Sequence, residues 1–193
     1  MTNVDINKIF EVERTCYNFS DKKVDLSLIR SIYDLMKMGP TSANCCPLRI
    51  VFVTTDEKKD ALSDCVMPGN IKHVKSAPIT AIFAYDTKFY EKMTKLYSHN
   101  PAMKEMFENN SAMSNDTAMR NSALQAAYFM VLARAHGLAI TPMSGFAPDS
   151  VNETFFAGTS HKVNFICAIG YRGAEETNPR LPRLDFDEAC RVI

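Results

Sequence analysis

The fold is decided by residues 25–55, DLSLIRSIYDLMKMGPTSANCCPLRIVFVTT, in which a helix, a polar loop and a strand follow one another. Asp25 can cap a helix whose apolar residues recur on one face, and Gly39 followed by Pro40 ends it. The run 49–55 is short, β-branched and aromatic, which predicts a buried strand. Residues 25–55 therefore predict a helix followed by a polar loop and a buried strand.

Outward from this unit, helices and strands continue to alternate along the chain. The patterns predict a short amphipathic helix near residues 6–10, a helix over 56–66 broken by Pro68-Gly69-Asn70, a strand over 79–86, helical structure in the middle of 88–114, a long alanine-rich helix over 116–136, a strand over 138–143, a helix opened by Pro148, and a strand over 163–170. Three or four strands separated by long helices do not make a regular doubly wound sheet. We therefore expect an α+β fold, with a mixed β-sheet flanked by helices in a single domain over residues 1–193.

Composition narrows the function classes. The chain has 193 residues, 46% hydrophobic and 23% charged, and its 22 basic residues balance its 22 acidic ones. Such a balance disfavours nucleic acid as a partner. The N-terminus lacks a secretory pattern and no apolar run is long enough to span a bilayer, so we expect a cytoplasmic protein with no membrane partner. The six cysteines have no repeating spacing, which favours free thiols.

Several familiar site motifs are absent from the sequence. No GxxxxGK[ST] or GxGxxG is found, so a P-loop or a Rossmann dinucleotide site is disfavoured. The sequence also lacks a GxSxG elbow and an HExxH helix. The four histidines have unrelated spacings, and we predict no metal site.

Four stretches could carry chemistry instead. Arg14 and Thr15 offer a donor fork and a short hydroxyl, which suit a phosphate, although a surface arginine beside a capping threonine is the commoner explanation of such a pair. The loop 39–47 offers hydroxyl, amide and backbone donors to a flat polar ligand, or satisfies its own backbone. In residues 141–146, a proline and a glycine leave backbone amides free for the close approach of a ligand. In residues 179–184, two arginines lie on a stiffened tail and could bind an anionic group; ordinary surface salt bridges are the alternative explanation.

In this order and spacing, the four stretches resemble the nitroreductase family of FMN enzymes, over nearly the whole chain from residue 14 to residue 183. The resemblance implies an FMN site, with the backbone amide of Ser144 facing flavin N5, the atom that transfers hydride; it names no catalytic side chain. It also implies a homodimer with intertwined subunits and FMN at the interface. The cofactor-binding residues that it implies are Arg14, Thr15, Tyr17, Thr41, Ser42, Asn44, Asn70, Pro142, Met143, Ser144, Gly145, Arg180 and Arg183.

The chain departs from the family pattern at three positions. Tyr17 stands where many relatives have a second basic residue, Cys46 where many have glutamine, and His73 where the family has a basic residue three places after the flavin-side asparagine. These departures bear on the flavin potential and on substrate preference.

The resemblance also suggests a substrate class. The strings DLMKMGPTSANC, PMSGF, FFAGTS and LPRLDFDEAC look like the subgroup that includes malonic semialdehyde reductase. Hydride would pass from NADH or NADPH to FMN and then, in a ping-pong cycle, to a small carbonyl compound such as malonic semialdehyde. The alternatives are a broad nitroaromatic and quinone reductase, a non-catalytic flavin-binding protein, a thiol protein using Cys45 and Cys46, and a structural protein with no cofactor.

Overall fold

The computed structural model of the chain describes residues 6–174 and 179–193. The labelled helices are α1 (Leu26–Met36), α2 (Asp56–Ser63), α3 (Pro68–Ser76), α4 (Met93–Leu96), α5 (Ala102–Glu108), α6 (Ser111–Ala135), α7 (Pro148–Phe156) and α8 (Phe186–Ala189). The strands are β1 (Leu48–Val53), β2 (Ile79–Asp86), β3 (Ala139–Met143) and β4 (His161–Gly170). A π-helical turn spans Lys8–Val12, and 3₁₀ turns span Ser42–Asn44 and Phe89–Lys92.

The four strands form one sheet in the order β1-β2-β4-β3. The α+β prediction is confirmed, but the expectation of mixed strand directions is wrong, since each of the pairings β1–β2, β2–β4 and β3–β4 is antiparallel. A parallel pair needs a connection that returns the chain to the end of the sheet where the strand began. Here Val53 at the end of β1 pairs with Thr80 at the start of β2, so the two connecting helices leave the chain where β1 finished.

Helices cover both faces of the sheet. On one face, residues of α1 and α6, among them Ile32 and Phe129, pack against Phe83 of β2. On the other, residues of α2, α3 and α7 pack against Ile82 and Ile166. Alternate residues of the buried strands β2 and β4 therefore supply both cores.

Most of the predicted elements are present, and capping explains the shifts at two ends. The Asp25 carboxylate accepts a hydrogen bond from the Ser27 amide at 2.8 Å and starts α1, as predicted. Pro68 begins α3 instead of breaking the chain, because proline suits the first position of a helix. The long helix α6 starts five residues before its predicted start, where the Asn110 side chain accepts from the Met113 amide.

Across residues 6–174 and 179–193, none of the helices combines the length and the apolar character needed to cross a membrane.

Candidate functional site

The segment around Cys16 lies along the outer edge of β3. The Cys16 amide donates to the Ile140 carbonyl at 3.1 Å, and the Thr141 hydroxyl donates to the Cys16 carbonyl. Cys16 itself is buried. Because this backbone is attached to β3, the adjacent Arg14 and Thr15 lie near the chain that leaves β3 at Met143.

Arg172 holds this segment from the other side. Its Nη2 donates to the Arg14 carbonyl at 2.9 Å and lies 3.2 Å from the Glu13 carboxylate. Its Nη1 is buried and has no hydrogen-bond partner among the described residues. Sequence reasoning missed Arg172, because it lies directly after β4 with no motif around it.

The loop that follows β3 is attached to the start of α3. The Gly145 carbonyl accepts from the Met67 amide and from the Asn70 side chain, each at 2.9 Å. A Cβ on Gly145 would lie 2.8 Å from Asn70 Nδ2 and 3.4 Å from Met67 Sδ. A glycine at position 145 is therefore required for this close approach.

Tyr17 and His73 bring the segment around Cys16 into contact with α3. Their ring centroids are 5.6 Å apart, and His73 lies one helical turn after Asn70 on α3. His73 Nδ1 is buried and finds no partner within the part of the chain that the structure describes. We call this group the β3 half-site: Arg14, Thr15, Tyr17, Asn70, His73 and residues 142–145.

Within the β3 half-site the residues differ in what they present to solvent. Pro142 and Ser144 are exposed, and Gly145 is partly exposed. Met143 is 7% exposed, and its side chain belongs to the core on the α2 and α3 face. For a ligand, position 143 therefore offers main-chain groups and not a thioether.

The second group of predicted residues is the polar loop, residues 39–47. Three of its non-glycine residues have positive φ, namely Ala43 at 49°, Asn44 at 50° and Cys46 at 41°. The left-handed region costs a non-glycine residue about 1–2 kcal/mol, less for asparagine. Such strain persists only where neighbouring groups hold the backbone, and it is concentrated at functional sites.

Helix α6 supplies much of that support. Asn121, which is 2% exposed, accepts from the Ser42 amide at 2.8 Å, and Tyr128 donates to the Pro40 carbonyl at 3.0 Å. The Asn44 side chain donates to the Leu96 carbonyl at 2.9 Å. Thr41 is partly exposed, and Ser42 and Asn44 are exposed. The loop is thus built to present small polar groups outward.

The two groups lie at opposite edges of the sheet. The polar loop leads into β1, the first strand in the sheet order, whereas the β3 half-site surrounds the end of β3, the last. Three interstrand steps separate these edges, about 14 Å at about 4.8 Å a step. The loop also packs on α6 and the β3 half-site on α3, which cover opposite faces. The packed core of one chain therefore lies between the two groups.

The two tail arginines donate hydrogen bonds to backbone carbonyls. Arg180 donates to the carbonyls of Phe10 and Glu11 in the N-terminal turn. Arg183 donates to the carbonyls of Leu181 and Pro182 in its own segment, both at 3.0 Å. Their assignment as phosphate partners stays a prediction.

Cys45, the first of the two vicinal thiols, has little chemistry to offer. All six cysteines are free, and burial raises the pKa of Cys45 to about 11. A thiol with that pKa carries almost no thiolate at neutral pH. The described residues contain no group of three or more histidine, cysteine or carboxylate side chains that could hold a metal ion.

Comparison with known proteins gives the family. The nitroreductase family model matches residues 13–171. A Cupriavidus pinatubonensis protein provisionally named NADH dehydrogenase/NAD(P)H nitroreductase is 45% identical over 193 residues, which cover 99% of this chain and 98% of that protein.

Solved structures show the same fold. The provisionally named nitroreductase YdfN of Bacillus subtilis has a TM-score of 0.86 at 21% identity, over 97% of this chain and 98% of that one. An Exiguobacterium sibiricum structure, provisionally named a nitroreductase and in complex with FMN, has a TM-score of 0.82 at 22% identity, over 94% and 95%. The chain belongs to the nitroreductase family.

Proposed function

We propose that this chain is an FMN-dependent NAD(P)H oxidoreductase that reduces a small carbonyl compound such as malonic semialdehyde, and that it works as a homodimer with two flavin sites. The observation that carries the proposal is the grouping of the sequence motifs. Stretches far apart in the chain, around residues 14, 70 and 142–145, come together as the β3 half-site, within a fold shared with an FMN-bound structure.

The β3 half-site fits FMN chemically. Arg14 and Thr15 can hold a phosphate, with Arg172 keeping the backbone of Arg14 in place. Two buried nitrogen atoms, Arg172 Nη1 and His73 Nδ1, lack partners among the described residues. Since buried polar atoms are normally paired, these two unpaired nitrogen atoms are consistent with a polar ligand nearby.

When bound, FMN supplies the redox chemistry, accepting hydride from NADH or NADPH and delivering it to the substrate. The chain's own residues position and stabilise. Ser144 is exposed at the mouth of the half-site, where its amide can face the reactive edge of the ligand. The Asn70–Gly145 bond at 2.9 Å fixes the adjoining backbone, so that such a donor is preorganised and not mobile.

A homodimer would bring the two groups of residues together. The polar loop is too far around the core to share a ligand with its own chain's β3 half-site, but a partner's loop could approach it. The tail also favours a partner, because Leu181, Leu184 and Phe186 are 75%, 70% and 65% exposed. In addition, a groove of about 540 Å³ lies beside the edge strand β1, lined by Leu26, Tyr33 and Phe52 among others. Both features would be covered in an intertwined dimer.

The first experiment tests the cofactor. Purified protein should be yellow, retain FMN through gel filtration, and lose its absorbance near 450 nm when NADH or NADPH is added without oxygen. Colourless protein that takes up no added FMN would contradict the proposal. Bound flavin that no nicotinamide bleaches would instead favour a non-catalytic flavin-binding protein.

The second experiment tests the substrate. The carbonyl assignment predicts a higher kcat/KM for malonic semialdehyde than for nitroaromatics and quinones, with either nicotinamide as donor. The second candidate is a broad nitroaromatic and quinone reductase, which the provisional names of the sequence relatives favour. Turnover of nitroaromatics and quinones with no measurable aldehyde reduction would select it.

A further inference from the structure

A partly buried ion pair lies directly behind the polar loop. Arg49 Nη2 is 2.7 Å from Asp86 Oδ2, and the two side chains are 26% and 7% exposed. Arg49 is the second residue of β1 and Asp86 the last of β2, so the pair joins the start of β1, where the loop ends, to the paired end of β2. The proposed function assigns no role to either residue.

Asp86 is held as a fixed anion. Its Oδ1 accepts from the Ser160 hydroxyl at 2.7 Å and from the Lys88 amide at 2.9 Å. Burial raises the pKa of Asp86, but these hydrogen bonds and the charge of Arg49 outweigh it, so the pKa lies below its usual value. His161 Nε2 lies 4.0 Å from Oδ2, and burial lowers the pKa of His161, which favours its neutral form. The carboxylate thus gives Arg49 one orientation.

The free end of the guanidinium is directed at the loop. Arg49 Nη1 donates to the carbonyls of Cys46 and Leu48 at 3.1 and 2.9 Å. The Asp86 amide donates to the intervening Pro47 carbonyl at 3.0 Å. Three successive carbonyls are therefore held by this pair of residues, immediately after the left-handed Cys46.

The same loop is held internally at its other end. The Cys46 amide donates to Thr41 Oγ1 at 3.3 Å, which closes residues 41–46 into a ring. Moving the Cys46 peptide would therefore move Thr41 and the exposed Ser42 and Asn44 between them. Fixing the Cys46 carbonyl therefore adds to the support that Asn121 and Tyr128 of α6 give to the loop.

We propose that Arg49 is a positioning residue for flavin binding, which acts through the Cys46 carbonyl to hold the left-handed backbone that presents Thr41, Ser42 and Asn44. This role rests on the proposed function, because the polar loop is taken there as a flavin contact. Simple stability does not require the pair, since apolar side chains of similar volume often stabilise a fold as well as a buried ion pair does. Only the planar fork of arginine reaches a carboxylate and the two carbonyls together.

The test compares Arg49→Met with Arg49→Lys and with the control Lys75→Gln, which removes the exposed Lys75–Asp60 pair on the opposite face of the sheet. Two quantities are measured well below the melting temperature: amide hydrogen exchange over residues 41–46 in flavin-free protein, and the Kd for FMN by fluorescence titration. We expect Arg49→Met to speed exchange in the loop alone and to raise the Kd about tenfold, as changes behind a binding group commonly do. Arg49→Lys, which keeps the charge and is the safer variant for folding, should shift both in the same direction by less, and Lys75→Gln neither.

The outcomes separate the two proposals. Unchanged hydrogen exchange of the loop in both Arg49 variants overturns the claim that Arg49 holds the loop backbone, whether or not flavin binds. Faster loop exchange with a wild-type Kd overturns the role in flavin binding. A wild-type protein that binds no FMN overturns the proposed function. The role of Arg49 in flavin binding falls with it, even if the exchange data show that Arg49 holds the loop backbone.

Discussion

Gly145 shows at the scale of one residue how the β3 half-site is assembled. Its carbonyl accepts two hydrogen bonds from the start of α3, and this approach leaves no room for a side chain. The sequence pattern marked this glycine as part of a loop that approaches a ligand. The structure adds that the same glycine is needed for contact with α3, before any ligand is considered.

Replacing Gly145 with alanine should therefore reduce both stability and flavin affinity. The new Cβ would lie 2.8 Å from Asn70 Nδ2, so the loop or α3 must shift. Overpacking of this kind costs about 1–3 kcal/mol of unfolding free energy, measurable by urea denaturation. Gly69→Ala is the matched control, because its Cβ would meet nothing within 4 Å. Equal stability of the two variants would contradict the packing argument.

Helix α6 acts as an element that is both core and scaffold. Its apolar residues, such as Phe129, pack beneath the sheet, whereas its buried polar residues Asn121 and Gln125 accept from the Ser42 and Leu48 amides. The alanine-rich pattern predicted a long helix here. The polar contacts to the loop were not predicted, because Asn and Gln in a helix ordinarily face solvent.

Asn121→Ala should be more destabilising than the same change at an exposed position of α6. Both Asn121→Ala and Asn115→Ala gain helix propensity, so their difference isolates the lost contacts. Position 115 is exposed, whereas Asn121 bonds the Ser42 amide and the Thr117 carbonyl. We expect the difference to be about 1–3 kcal/mol in thermal or urea unfolding, with faster hydrogen exchange at Ser42. Matching unfolding curves for the two variants would argue against a supporting role for Asn121.

At the scale of the whole molecule, the predicted site residues are divided between two edges of one sheet. A single core cannot bring the β3 half-site and the polar loop onto one ligand, whereas a two-fold dimer can place one chain's loop at the other's half-site. The exposed apolar tail and the groove at β1 agree with such an assembly. The homodimer nevertheless stays a proposal, and mixing subunits of two variants can test it.

Mixing two inactive variants should restore flavin binding if the sites are shared. Arg14→Glu would repel the phosphate at the β3 half-site, and Ser42→Trp would fill the surface of the loop. Random reassociation after mild unfolding gives half heterodimers, each with one intact site, so about a quarter of the wild-type sites should return. Bound FMN and NAD(P)H oxidation measure the recovery. Each variant refolded alone is the control, and no recovery in the mixture would mean that each site lies within one chain.

The sequence by itself determined the class of fold, most elements and the family. Local capping and hydrophobic periodicity carry that information, as at Asp25 of α1 and in the apolar run of β2. It also marked the stretches around residues 14, 41, 70 and 144. Strand direction, by contrast, depends on where a connection returns the chain, and the mixed sheet expected from the alternation is antiparallel.

Only the tertiary structure decided how those stretches are grouped and supported. Arg172 and the Arg49–Asp86 pair carry no local motif, because they act through contacts 158 and 37 residues apart in sequence. Met143, one of the predicted flavin residues, has its side chain in the core, since alternation along β3 turns it inward. The division of the predicted site between opposite edges likewise follows from the strand order, which pairings between distant residues determine and local patterns do not.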